Sequence, residues 1–262
     1  MMKKEAPFLI IAGPCLVESK EMLFAVASEL VNICSKHDVE YIFKSSYKKA
    51  NRTSAASFTG IGDELALSYL AEIKEKFKIR VLTDVHSIEE AKLAARYVDI
   101  LQIPAFLCRQ TELLQAAART GLTVNIKKGQ FLAPQDIGKA AQKIELEGNK
   151  DIWLTERGTF FGYHNLVVDF RSLVIMKEFG YPVIFDATHS VQLPSQSDVS
   201  SGQPQFILPL ARAAAAVGID GLFFETHPEP NKAKSDAASQ LPLNQAETLI
   251  EQIMKIVRLG SI

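Results

Sequence analysis

The stretch Gly221-Leu222-Phe223-Phe224-Glu225-Thr226-His227 starts apolar and ends in an acid, a hydroxyl and an imidazole. Seven earlier runs have the same character: Phe8–Gly13, Tyr41–Ser45, Arg80–Val85, Asp99–Pro104, Thr123–Lys128, Asp151–Arg157 and Pro182–Thr188. Their β-branched and aromatic content, bounded by polar or turn residues, marks them as strands. They are continuous rather than alternating, as expected of parallel strands buried on both faces. Amphipathic stretches follow them: Ser19–Lys36, Asp63–Phe77, Ile88–Arg96, Gln110–Thr120, Pro134–Glu147, Leu166–Phe179, Pro204–Val217 and Leu243–Leu259. Gly121, Gly180 and Gly218 each follow such a stretch and precede a strand, as helix stops do. Eight strand–helix units predict a closed α/β barrel, the (β/α)8 TIM barrel, as one domain over residues 1–262. Chemistry in that architecture sits at the C-terminal strand ends. Cys15, Lys44, Asp84, Gln102, Lys127, Arg157, His189 and Glu225 fall there.

A formal net charge of −1 gives no reason to expect nucleic acid or a membrane surface as partner. Any anion-binding cations must be locally concentrated. Cys15, Cys34 and Cys108 are odd in number and widely spaced, which does not read as a disulfide framework. A reducing cytoplasm is the expected compartment. The apolar stretch Phe8–Ala12 is too short for a signal segment, and no run reaches the length of a membrane span. Two long polar loops, His189–Gln203 and His227–Pro242, are expected to act as mobile lids over the barrel mouth.

Cys15, His189, Glu225 and Asp236 offer a thiolate, an imidazole and two carboxylates, good ligands for a divalent transition metal. Ring closure makes strand one the neighbour of strand eight, and eight the neighbour of seven. Residues distant in sequence then converge. Taken singly, a Cys at a strand end is a small buried hydrophobe, and a His is a hydrogen-bonded structural group. A second set is basic: Lys44, Lys48, Lys49, Arg52, Lys127, Lys128 and Arg157. Adjacent residues on a strand point opposite ways, so Lys48 and Lys128 read as solvated charge. Several inward cations imply an anionic substrate with phosphate and carboxylate groups. The segment Lys49-Ala50-Asn51-Arg52-Thr53-Ser54 suits a sugar phosphate, although a polar surface loop has the same composition. Asp84 and His86 either bind substrate hydroxyls or order the mouth. Ser87, with Glu90 three residues on, reads as the cap of the third helix. Neither a Ser–His–Asp order nor a nucleotide-type glycine loop is visible.

At these residues the chain resembles the 3-deoxy-D-manno-octulosonate 8-phosphate synthases. The matching stretches include Ala12-Gly13-Pro14-Cys15, Phe43-Lys44-Ser45-Ser46, Lys49-Ala50-Asn51-Arg52, Thr83-Asp84-Val85-His86, Gln102-Ile103-Pro104-Ala105-Phe106, Asn125-Ile126-Lys127-Lys128-Gly129-Gln130, Phe185-Asp186-Ala187-Thr188-His189 and Glu225-Thr226-His227-Pro228. The Lys-Ala-Asn-Arg segment distinguishes them from the 3-deoxy-D-arabino-heptulosonate 7-phosphate synthases, where Lys-Pro-Arg-Thr is expected. The resemblance implies a homotetrameric barrel that condenses phosphoenolpyruvate with D-arabinose 5-phosphate and water. It implies the metal-dependent class, since the metal-independent class carries Asn in place of Cys15. The implied ligands are Cys15, His189, Glu225 and Asp236, and the implied ion is zinc, iron or manganese.

By the same resemblance Lys49, Lys127 and Arg157, with Ser46 and Gln130, would hold phosphoenolpyruvate. Asn51, Arg52 and Thr53 would hold the pentose phosphate. Lys44, Gln102 and Ala105 would line the substrate site, and Arg109 would reach a neighbouring subunit's site. The residues expected to carry the chemistry are Cys15, Lys49, Asp84, Lys127, His189 and Asp236. Few residues precede the first strand, so the N-terminal hairpin of some members is expected to be short or absent. Thr53 and Gly129 stand where Ser and Pro are common. The rival readings are a synthase that uses erythrose 4-phosphate, a Schiff-base aldolase through Lys44 or Lys127, and a non-catalytic metal-binding barrel.

Overall fold

The computed structural model describes residues 6–50, 58–160, 162, 165–193 and 201–260. Eight parallel strands close on themselves: β1 (Phe8–Gly13), β2 (Val39–Lys44), β3 (Arg80–Asp84), β4 (Ile100–Ile103), β5 (Thr123–Lys127), β6 (Ile152–Glu156), β7 (Val183–Asp186) and β8 (Gly221–His227). Each pairs with the next, and β8 pairs back to β1 with Gly13 opposite Glu225. The helices are α1 (Lys20–Cys34), α2 (Asp63–Phe77), α3 (Ile88–Ala94), α4 (Thr111–Ala118), α5 (Ile137–Glu145), α6 (Arg171–Lys177), α7 (Ile207–Val217) and α8 (Ala246–Gly260). This is the (β/α)8 barrel expected from the eight runs.

Strand periodicity divides the core in two. Leu9, Ile11, Ile42, Leu82, Ile100, Trp153, Ile184 and Phe223 fill the barrel interior as one cluster. Their strand neighbours, among them Ile10, Phe43, Val81, Leu101, Leu154, Val183 and Leu222, join a larger cluster with the helices. Successive side chains of a strand face opposite ways, so both faces are apolar and the runs read as continuous. Below this cluster the Arg80 guanidinium lies 5.0 Å from the Trp153 ring and donates to Glu40 at 2.7 Å.

Two elements depart from expectation. Helix α6 begins at Arg171 rather than Leu166. Val167 instead exchanges backbone hydrogen bonds with Thr159 at 2.9 Å, and the Asp169 carboxylate accepts the Arg171 N–H, starting the helix there. Ser87 caps α3 by accepting the Glu90 N–H, but the Glu90 carboxylate reaches back to the His86 N–H, one residue before the cap. The loop after β8 is tied to the barrel. Leu241–Pro242 pairs with Thr226 and His227, and Lys234 N–H donates to Glu18. In the loop after β7, Gln192–Leu193 pairs antiparallel with Ser201–Gly202. The serine-rich segment 194–200 lies outside the described residues.

Candidate active site at the strand ends

Beyond the apolar cluster, toward the C-terminal strand ends, the inward side chains include Lys44, Asp84, Gln102, Lys127, Arg157, Asp186 and Glu225, all buried. Gly13 completes the ring on β1. A Cβ there would lie 2.2 Å from the Lys44 carbonyl oxygen, so β1 and β2 approach this closely only with glycine at that position. Lys44 Nζ donates to Glu225 Oε1 at 2.8 Å and to Ser46 Oγ at 3.1 Å, and lies 3.4 Å from Asp84. Burial alone would lower the Lys44 pKa, but the Asp84 and Glu225 carboxylates outweigh it and hold it above its usual value. Asp84 accepts from Ser46 and from the Gln102 amide. Burial would raise its pKa, yet Lys44, Lys49 and Lys127 keep it well below the usual carboxylate range. The other end of the Gln102 amide accepts from Asn125 at 2.9 Å, and Asn125 accepts from Thr155 at 2.7 Å. These bonds form one chain across β3 to β6 and fix every amide in it.

Lys127 Nζ contacts Asp186 at 2.5 Å and His189 Nδ1 at 3.2 Å, and lies 4.2 Å from the Phe223 ring. Burial lowers its pKa despite Asp186. Asp186 also accepts the N–H groups of Thr188 and His189 and faces His189 Nδ1 at 2.8 Å. The opposite ring atom, His189 Nε2, lies 3.8 Å from Glu225 Oε1.

Cys15, Glu225 and Asp236 form a group able to hold a metal ion, with one donor atom from each within 4.8 Å of the others. Cys15 Sγ lies 3.1 Å from Asp236 and 3.2 Å from Ser235, and Gln240 accepts the Cys15 N–H. Burial, then Asp236 and Glu225, push the thiol pKa well up. Glu225 Oε2 is buried without a hydrogen-bond partner among the described residues. Asp236 holds a φ of 46°, a conformation that is uncommon outside glycine and concentrates at functional sites. A thiol and two carboxylates brought this close, two of the three residues buried, suit a divalent cation, which favours the thiolate and compensates the carboxylates. His189 presents Nε2 toward Glu225 and Nδ1 toward a carboxylate, the usual bracing of a ligating imidazole.

The anion side is built from cations and unmatched polar ends. Lys49 Nζ is 3.8 Å from Asp236. Arg157 donates to Gln192 at 2.9 Å, while its Nη1 and the Gln130 Oε1 are buried without hydrogen-bond partners among the described residues. Burial lowers the Arg157 pKa from its usual value. Ala105 is buried in the turn after β4.

The chain matches the DAHP synthetase I family over residues 1–259. It belongs to that family. A 2-dehydro-3-deoxyphosphooctonate aldolase of Granulibacter bethesdensis is 52% identical over 98% of this chain and 91% of its own length. One from a Cyanothece species is 52% identical over 95% of this chain and 92% of its own. One from Fusobacterium nucleatum is 51% identical over 96% and 92%. The octulosonate phosphate resemblance read from the sequence motifs is borne out within the DAHP synthetase I family.

Several sequence expectations change at this family's strand ends. Lys128 is not solvated. Its ammonium is wholly buried, 3.1 Å from the Leu132 carbonyl and 3.5 Å from Glu156. Lys48 is half-buried between Glu90 at 2.6 Å and Asp63 at 3.1 Å. Arg109 is exposed, and its carbonyl accepts from Lys143. Asn51, Arg52 and Thr53 lie outside the described residues. His86 orders the mouth through Glu90 at 2.8 Å. Sequence reasoning misses the role of Asp186, although its inward register two residues beyond Ile184 is a usable signal. Asn125, two residues before Lys127 on the same strand, carries the same signal, whereas Ser235 and Gln240 give none.

Proposed function

We propose that this site condenses phosphoenolpyruvate with D-arabinose 5-phosphate and water. The products are 3-deoxy-D-manno-octulosonate 8-phosphate and inorganic phosphate, for lipopolysaccharide sugar biosynthesis. The observation that carries this is the near-complete match to relatives named for the eight-carbon phosphorylated acid. The ring of buried cations beside a metal-competent group supports it. The family description is that of a DAHP synthetase, so the heptulosonate phosphate reaction, with erythrose 4-phosphate as acceptor, is the second reading.

Lys49, Lys127 and Arg157 bind the carboxylate and phosphate of phosphoenolpyruvate, with Ser46 and Gln130 adding hydrogen bonds. Two buried groups already lack partners, Arg157 Nη1 as donor and Gln130 Oε1 as acceptor. Asn51, Arg52 and Thr53 hold the pentose phosphate. Cationic clamps on both substrates offset their repulsion and bring C3 of the enol to C1 of the aldehyde. As that bond forms, positive charge develops at C2, within the field of Asp84, Asp186 and Glu225. Water adds to C2, and the C2–O bond to phosphate breaks, so phosphate leaves with the bridging oxygen. Cys15, His189, Glu225 and Asp236 would hold a divalent ion of zinc, iron or manganese, which supplies Lewis-acid polarisation of an aldehyde or water oxygen. Asp186 braces His189 and Lys127 together. The expected assembly is a homotetramer in which the exposed Arg109 completes a neighbour's phosphate site. The expected compartment is the cytoplasm, supported by three buried cysteines that are all free.

Phosphate release with phosphoenolpyruvate tests the reaction when arabinose 5-phosphate and erythrose 4-phosphate are assayed in parallel, each with and without chelator. Arabinose 5-phosphate should be used far better, and chelation should stop turnover. Preference for the four-carbon sugar overturns the substrate reading. Cys15→Ala should lower metal content and activity together, and full activity after metal removal overturns the metal reading.

A further inference from the structure

Behind the anion site, on the opposite face of β5 and β6, lies a buried ion pair that the proposed reaction does not use. Lys128 follows Lys127, and Glu156 precedes Arg157. Strand alternation therefore turns this pair away from the barrel interior while its neighbours face in. Both side chains are fully buried. Their bonds run to the two loops that carry Gln130 and Arg157. Lys128 Nζ donates to the Leu132 carbonyl at 3.1 Å and to the Gly129 carbonyl at 3.4 Å, bracketing Gln130. It also reaches Thr159 Oγ1 at 3.5 Å on the other loop. Glu156 Oε1 accepts the N–H of Arg157 at 3.0 Å and of Gly158 at 2.7 Å. Gly158 turns the chain there at a φ of 89°. The Glu156 Oε2 atom has Lys128 at 3.5 Å and no hydrogen-bond partner among the described residues. One further bond joins the loops, from Phe160 N–H to the Gln130 carbonyl at 3.1 Å.

We propose that Lys128 and Glu156 are positioning residues that set the separation of Gln130 and Arg157, and so the fit of the enol phosphate substrate. This rests on the assignment of Gln130 and Arg157 to phosphoenolpyruvate. The pair touches no substrate. Each member holds backbone on one side of the anion site, and their mutual attraction ties the two sides. An ion pair wholly removed from water is a weak source of stability, and an apolar pair of similar volume often serves as well. What it adds is a fixed geometry. A small misplacement of a binding group is enough to weaken the bound complex. The sugar phosphate is assigned to residues other than Gln130 and Arg157, so its binding should be insensitive to the pair.

The decisive variant is Lys128→Met/Glu156→Met, which removes both charges at once and leaves no lone buried ion. The expected result is a KM for phosphoenolpyruvate raised about 10-fold, with kcat and the KM for arabinose 5-phosphate within about 2-fold. Glu156→Gln keeps a carbonyl acceptor for Arg157 and Gly158 and should fall between this variant and wild type. A KM for phosphoenolpyruvate unchanged in the double variant overturns the proposal, whatever its Tm. So does an equal loss against both substrates that follows Tm, which is what a merely structural pair would give. If the double variant fails to fold, Glu156→Asp retains the charge but shortens its reach. It should raise the same KM in the same selective way, and a wild-type KM there is equally fatal. Arg157→Met separates the two levels of inference. If it raises the phosphoenolpyruvate KM while the pair variants do not, only the positioning role falls. If it leaves that KM unchanged, the assignment of Arg157 falls and takes the positioning role with it.

Discussion

Ile42 and Lys44, Leu82 and Asp84, Ile184 and Asp186, and Phe223 and Glu225 are pairs two residues apart on the same strands, pointing into the same barrel. The first member of each belongs to the apolar interior cluster. The second belongs to a ring of buried charge. The interior thus changes from oil-like to ionic within one repeat of the strand. In the lower layer burial itself stabilises, at roughly 25 cal/mol per Å² of apolar surface. In the upper layer burial costs free energy, and each charge persists because another compensates it. Lys44, Lys49, Lys127 and Arg157 stand against Asp84, Asp186, Glu225 and Asp236. Under the proposed function, a layer so balanced would take up an anionic substrate and a divalent cation with little net change in charge. The contrast implies a division of labour: the lower layer holds the fold, and the upper layer binds and reacts.

The upper layer should give the largest effect. Lys127 contacts Asp186, His189 and Phe223, and is assigned to phosphoenolpyruvate. Lys127→Met should reduce kcat/KM by about 10³-fold or more while the protein stays folded at 25 °C by circular dichroism. A variant that keeps activity within 10-fold of wild type, by the same order-of-magnitude reasoning, would remove this lysine from the chemistry. It would also blur the boundary between the layers.

The lower layer should behave oppositely. Ile42 is fully buried two residues before Lys44. Ile42→Ala should cost about 2–5 kcal/mol of unfolding free energy through lost contacts and a residual cavity. Once folded, its kcat/KM should stay within about 2-fold of wild type, because no functional side chain depends on that methyl pair. Urea denaturation and steady-state assays on the same preparation separate these two quantities. A large loss of activity at unchanged stability would mean that the layers are mechanically coupled.

The barrel was legible because its strands are buried on both faces. Continuous apolar runs such as Phe8–Gly13 and Gly221–His227 therefore kept their bounds in the structure. Ring closure predicts that Cys15, His189, Glu225 and Asp236 gather; Cys15, Glu225 and Asp236 form the close group, and His189 faces it at 3.8 Å from Glu225. What stayed hidden depends on partners that no local pattern announces. Lys128 looks like solvated charge until Glu156, on the next strand, is seen beside it. The Cys15 thiol is fastened by Ser235 and its N–H by Gln240, both more than two hundred positions away in sequence. The start of α6 was misplaced because Val167 has a backbone partner in Thr159 that hydrophobic periodicity does not register.

The smallest effect belongs to a collar just outside the two layers, where Glu90 joins the loops after β2 and β3. Its carboxylate meets His86 at 2.8 Å and Lys48 at 2.6 Å, and Lys48 also contacts Asp63. Partial burial would raise the Glu90 pKa, but hydrogen bonds from His86 and Lys48 overcome this and bring it to about 2. The folded form is thus the stronger acid, so the unfolded chain binds the proton first as pH falls. The contribution of Glu90 to stability is complete above the ordinary carboxylate value of 4.5 and is lost as pH falls through that value toward about 2. Glu90→Gln should therefore lower stability at pH 7 by on the order of 1 kcal/mol, after allowance for solvent screening. The gap from wild type should narrow as the pH approaches about 2.5. Urea midpoints across that range test it, and wild-type and variant curves that run parallel would show that Glu90 is no more acidic folded than unfolded. Because Lys48 immediately precedes Lys49, a narrowing gap accompanied by a modest rise in the KM for phosphoenolpyruvate would extend the ionic upper layer outward into this collar. Narrowing without that rise would confine the layer to the strand ends themselves.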